Sequence, residues 1–121
     1  MITVTPLHLI GANERGATYT LLADHAGDFI FGTRKKGSIN GQHYHKGLVP
    51  VKDPEIFYLL SGSINIRLKH VETGEEAELQ AEGPCRILFP RLIWHEVEAL
   101  TDISFLECNS LEEHAMDTFR L

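Results

Sequence analysis

Along most of the chain apolar and polar residues alternate with a period of two, the spacing of a strand with one buried face. The clearest run is 64–69, where Ile64, Ile66 and Leu68 alternate with Asn65, Arg67 and Lys69. Glu72-Thr73-Gly74-Glu75 turns this strand back into a second one over 77–81, which predicts a β-hairpin. Residues 1–10 read as an edge strand closed by Gly11, and further strands are expected over 17–23, 29–34, 55–62, 86–89, 94–99 and 103–108. Turns fall at 13–16, 24–28, 82–84 and 101–102, and the stretch 46–54, with its two prolines and one glycine, reads as a loop. Strands recurring about every 8–12 residues, with no β/α alternation and no long repeat, predict an all-β sandwich or barrel. A helix fits only near the end, where Ser110 followed by Glu113 has the form of a capping box.

Composition narrows the function classes. A chain of 121 residues, 43% hydrophobic and 23% charged, suits one domain with its own core. A net charge of −6, with no basic run beyond Arg34-Lys35-Lys36, argues against a nucleic-acid surface. That basic run reads as a solvated turn or, at a pocket mouth, as a contact for an anionic substrate. No apolar stretch approaches the roughly 18 residues of a membrane span. The first residues lack the basic start and apolar run of a signal peptide, so a cytoplasmic location is expected. Cys85 and Cys108 form no C-x-x-C pair and are expected as buried, inert thiols.

The candidate chemistry begins at His43-Tyr44-His45. In an extended strand the two histidines share a face, with Cα atoms roughly 6.6 Å apart. Such a pair suits two imidazoles on one ion, with metal–nitrogen bonds of about 2.0–2.1 Å, and on spacing alone it equally suits two ordinary surface or core histidines. Glu55 opens the apolar strand EIFYLLSG, and His95 follows Trp94 further on. Three imidazoles and a carboxylate are a recognised donor set for a first-row divalent metal. Tyr44, out of phase with the histidines, is expected to pack away from them, and Phe57, in phase with Glu55, to line the interior.

Together these residues resemble the two signature motifs of the cupin superfamily, G-x5-H-x-H-x3–4-E-x6-G and G-x5-P-x-G-x2-H-x3-N. Gly37, His43, His45, Glu55 and Gly62 follow the first; Gly83, Pro90 and His95 follow the second. Nine residues separate His45 from Glu55, six separate Gly83 from Pro90, and Leu92 and Ala99 stand where the motif has glycine and asparagine. The resemblance implies a double-stranded β-helix, or jelly roll, over 1–121 as a single domain, with core motifs at 37–62 and 83–99. It also implies one divalent transition metal ion (zinc, iron, manganese or nickel) held by His43, His45, Glu55 and His95.

A narrower resemblance lies inside the first. Glu14-Arg15-Gly16 and Asn40-Gly41-Gln42-His43-Tyr44-His45 are similar to the D-x-R-G and R-G-x-H-Y-x patterns of cupins that act on nucleotide-linked sugars. That branch holds the deoxysugar 3,5-epimerases, the 3,4-ketoisomerases and the C-terminal cupin domain of capsular-polysaccharide reductases. It implies His43 as the base that abstracts a proton beside a sugar ketone and Arg15 as a contact for the nucleotide phosphates; Phe57, from its strand phase, is expected as a further substrate contact. The expected function is a metal-dependent sugar or sugar-nucleotide isomerase, epimerase or lyase. The alternatives are a metal-dependent dioxygenase and a non-catalytic small-molecule-binding domain. A homodimer paired through the N-terminal edge strand is expected too.

Overall fold

The computed structural model describes residues 1–21 and 25–121. Among these the strands are β1 (Thr3–Pro6), β2 (His8–Asn13), β3 (Gly16–Thr20), β4 (Ile30–Arg34), β5 (Ile39–His43), β6 (Glu55–Ser61), β7 (Ser63–His70), β8 (Glu76–Glu82), β9 (Cys85–Phe89), β10 (Ile93–Ala99) and β11 (Ile103–Glu107). One short helix, α1 (Leu111–Met116), follows them. The predicted capping box is present, with the Ser110 hydroxyl accepting from Glu113 N–H and the Glu113 carboxylate accepting from Ser110 N–H.

Two antiparallel sheets form the body, in the orders β1-β9-β6-β11-β4 and β5-β10-β7-β8. From β4 to β7, and again from β8 to β11, each strand lies in the opposite sheet from its predecessor. This winding is the jelly roll. The predicted hairpin is β7–β8, with Ile64 opposite Ala81 and Leu68 opposite Ala77. Phe57, Leu59, Ile64, Ile66, Ile87, Phe89 and Ile103 fill the space between the sheets as one apolar cluster. Cys85 and Cys108 are buried and are not joined in a disulfide. Among the described residues no helix is long and apolar enough to cross a membrane.

Gly62 makes the β6–β7 reversal possible. Its φ is +91°, and a Cβ there would strike the Asp102 carbonyl oxygen and lie 2.7 Å from Ile103 Cγ2.

The N-terminal reading needs correction. Residues 1–10 are not one edge strand closed by Gly11: β1 pairs with β9, while β2 runs on through Gly11 to Asn13 and pairs with β3 alone. The break falls at Leu7, whose N–H donates to the Pro84 carbonyl in the β1–β9 register; Pro84 has no N–H to return the bond, and the ladder ends there. The expected strand over 17–23 is β3 as far as Thr20; Leu22 and Ala23, and Asp24 of the expected turn, lie outside the described residues. A second correction concerns the H-x-H pair. β5 ends at His43, with Gly41 and Gln42 at φ +84° and +59° just before it, so His43 and His45 are not two positions of one regular strand.

Candidate functional site

Two ionisable groups sit in the inward phase of apolar strands. On β10, His95 falls between Ile93 and Val97 on the buried face; on β6, Glu55 is in phase with Phe57 and Leu59. Strand pairing places His43 directly opposite His95. The chain beyond β5 then carries His45 to the same point, because Tyr44 pairs with Phe119 on the outer side, its N–H donating to the Phe119 carbonyl. The four predicted residues therefore meet. Ring nitrogens of His43, His45 and His95 lie within 4.8 Å of one another, and Glu55 Oε2 stands 2.8 Å from His45 Nε2 and 3.6 Å from His95 Nε2. His45, Glu55 and His95 are 0%, 3% and 4% exposed.

Two of the three imidazoles are anchored through the same nitrogen. His45 Nδ1–H donates to the Asp117 carbonyl (2.6 Å) and His95 Nδ1–H to the Ile93 carbonyl (3.1 Å). A carbonyl only accepts, so Nδ1 carries a proton in both rings and Nε2 is the nitrogen that faces the carboxylate, in His45 as a donor to Glu55 Oε2 when no ion lies between them. Among the described residues no hydrogen bond fixes the His43 ring. Burial, then the charge of His95, holds the His43 pKa at about 3, and burial is also the main reason the His95 value is about 4. Both rings are neutral at neutral pH.

Glu55 divides its oxygens between two tasks. Oε2 faces the histidines, while Oε1 accepts from Lys52 Nζ at 3.0 Å. Burial alone would raise this carboxyl's pKa; the hydrogen bond with His45 and the Lys52 charge outweigh it and hold the group well below the usual carboxylate range. Lys52 is fully buried and also reaches Asn109 Oδ1 (2.9 Å) and His114 Nδ1 (2.9 Å). The nine-residue loop that departs from the cupin spacing is thus what supplies Glu55 with its cation.

The loop is itself held from the far end of the chain. Asp117 Oδ1 accepts from Lys46 N–H (2.7 Å), and Oδ2 accepts from Leu48 N–H (2.6 Å) and Val49 N–H (3.2 Å).

A cavity of about 240 Å³ opens on this cluster. Phe57, as expected, lines it, stacked on Phe105 with centroids 5.1 Å apart. Arg34 lines it as well, its guanidinium over the Phe105 ring and its Nε–H donated to Asn40 Oδ1 (2.8 Å). Glu107 and His114 complete the polar wall. Burial, then the charge of Glu55, raises the Glu107 pKa; burial, then the charge of Lys52, lowers that of His114. Sequence reasoning missed Lys52, Glu107, Asn109 and His114. Arg15, by contrast, sits at the exposed tip of the β2–β3 hairpin and does not line the cavity of its own chain.

The donor set fits a divalent ion. Ligands about 2.1 Å from an ion stand roughly 3.0–3.4 Å from their neighbours, and the 2.8 Å and 3.6 Å separations bracket that range. Backbone carbonyls on the far nitrogens of His45 and His95 are the usual outer partners of metal-binding histidines.

No protein-family model matches the sequence, and no curated protein is a detectable relative. Solved structures do match. The sugar 3,4-ketoisomerase QdtA from Thermoanaerobacterium thermosaccharolyticum, in complex with TDP, is 21% identical with a TM-score of 0.74, over 99% of this chain and 88% of that one. A 3,4-ketoisomerase from Helicobacter canadensis is 15% identical with a TM-score of 0.73, over 99% and 90%. The dTDP-6-deoxy-D-glucose-3,5-epimerase RmlC from Legionella pneumophila, in complex with dTDP-4-keto-L-rhamnose, is 15% identical with a TM-score of 0.68, over 99% and 72%. At these identities the likeness establishes the fold. This chain has the cupin jelly-roll fold.

Proposed function

We propose that this chain is a metal-dependent isomerase or epimerase of a sugar, carried free or on a nucleotide. The observation that supports it most is the convergence of His45 Nε2 and His95 Nε2 on Glu55 Oε2, with His95 and Glu55 lining the cavity and His45 fully buried against Glu55. Two histidines and one carboxylate are a known facial ligand set. A divalent ion held there supplies Lewis acidity to a substrate carbonyl or hydroxyl. His43, unanchored and neutral, stands beside those three as the base that takes a proton from the carbon next to the carbonyl. The cavity is smaller than the about 300–1,000 Å³ of sites that enclose a drug-sized ligand. It has room for one sugar ring, and an attached nucleotide would lie outside it. Fold neighbours that work on TDP-linked ketosugars add weight to this substrate class.

Elemental mass spectrometry of the purified protein tests the ligand assignment. We expect about one divalent ion per chain, lost in His45→Ala and retained in His43→Gln. Proton NMR in deuterated buffer, with TDP-4-keto-6-deoxyglucose as probe, tests the reaction: wild type should exchange hydrogen beside the ketone and His43→Gln should not. A protein that holds no metal even after reconstitution overturns the metal assignment. The same two-histidine, one-carboxylate set also serves iron oxygenases, and substrate-dependent dioxygen uptake would move the reading to that class.

A further inference from the structure

The cavity wall contains a further histidine, beside His43 and His95, that this reaction leaves unused. His114 comes from α1, and its ring lies 5.3 Å from that of His43 and 5.9 Å from that of His45, centroid to centroid. Its Nδ1 faces Lys52 Nζ at 2.9 Å. An ammonium group has three protons and no lone pair, so Nδ1 must be the accepting nitrogen and the ring proton must sit on Nε2. Lys52 is not free to turn away, because its remaining protons go to Glu55 Oε1 and Asn109 Oδ1 in a fully buried setting. Nδ1 therefore points into the wall and Nε2–H away from it. Among the described residues Nε2 has no hydrogen-bond partner, and it is not one of the sealed-off polar atoms. It is an unused donor on a residue that lines the cavity.

We propose that His114 Nε2–H donates a hydrogen bond to a substrate oxygen, which makes His114 a catalytic residue. The inference rests on the isomerase reading above. When the C–H bond beside the carbonyl breaks, its proton passes to His43. Its electron pair forms the carbon–carbon double bond of an enolate as the carbonyl π pair moves onto oxygen. His114 keeps its own proton throughout and holds that oxygen while negative charge builds on it. A neutral imidazole with one fixed N–H suits this role, since it needs no reorientation as the charge develops. Return of a proton to carbon completes the reaction. Lys52 is then a positioning residue for two groups at once, aiming Glu55 Oε2 at the histidines and His114 Nε2–H at the substrate.

Two measurements test this. Hydrogen exchange of TDP-4-keto-6-deoxyglucose is followed by NMR in wild type, His114→Ala and His114→Gln. Loss of one such donor typically lowers kcat by about 10²–10³-fold. We expect that loss in His114→Ala with KM changed only a few-fold and bound metal unchanged. Partial recovery is expected in His114→Gln, whose amide N–H reaches the same place. Wild-type exchange in His114→Ala overturns the proposal and leaves the isomerase reading intact. The second measurement needs no substrate. Long-range proton–nitrogen NMR of the folded protein should show His114 as the Nε2–H tautomer at neutral pH. An Nδ1–H tautomer overturns the donor role whether or not the probe turns over. Absence of exchange in wild type, with the Nε2–H tautomer observed, overturns the isomerase reading and the catalytic role together.

Discussion

Lys52 carries more energetic weight than its place in a loop suggests. It is fully buried, and it is the cation against which the buried Glu55 carboxylate rests. Removing one partner of a buried ion pair usually costs about 3–5 kcal/mol, because the other charge is left uncompensated. Lys52→Met should lose stability of that order in urea unfolding, and a loss below about 1 kcal/mol would show that the pair does not form. The two depressed histidines make a separate prediction for the metal-free protein. His43 and His95 titrate at about 3 and 4 in the folded chain against an ordinary 6.5. Between those values and 6.5 the unfolded chain binds more protons, so stability is full above about pH 6.5 and falls as pH drops through that window. Two such groups give a slope of up to about 2.7 kcal/mol per pH unit. A urea midpoint that stays flat from pH 7 to 5 in chelator would show that the rings are not buried as neutral groups. His95 and Glu55 were legible in the sequence through their match to the cupin motifs, and the inward phase of β10 and β6 is what buries them. Lys52 was not. Its partners Asn109 and His114 lie 57 and 62 residues away, and in composition it is indistinguishable from the solvent-facing Lys46.

At the scale of the element, periodicity located the strands well, since β7, β8, β9, β10 and β11 each fall within a residue or two of their expected bounds. Alternation reports which face is wet, and it needs no long-range information. It cannot report where a strand changes partner. The break at Leu7 and the end of β5 at His43 are decided by ladders formed with distant strands, so both were misread. The closure after β6 is a place where one atom matters. Gly62→Ala adds a Cβ against the Asp102 carbonyl at a φ that L-residues avoid. A cost of about 1–3 kcal/mol is expected, with the thermal midpoint falling by roughly 4–8 °C per kcal/mol. An unchanged midpoint would mean that the turn has room to open.

Over the whole molecule, the β2–β3 hairpin stands apart from the two sheets that make the barrel. Both of its strands are exposed throughout, and Leu9, Ile10 and Tyr19 are among the exposed large side chains. An uncovered apolar ribbon of this kind is a natural pairing surface. The expected homodimer would cover it, and sedimentation as a monomer at micromolar concentration would refute that expectation. If Arg15 serves a cavity, it serves one on another copy. Mixing an inactive Arg15→Ala variant with an inactive His43→Gln variant should then restore turnover, and no restoration would remove Arg15 from the site.

Asp117 gives the molecule one more property. A single carboxylate gathers the amides of Lys46, Leu48 and Val49, and the same residue's carbonyl holds His45. Withdrawal of that one carboxylate would release all three amides together. In deuterated solvent those three amides should share one protection factor, as a single latch. A small molecule or ion that tightens His45 at the centre of the barrel should slow all three together, although it touches none of them.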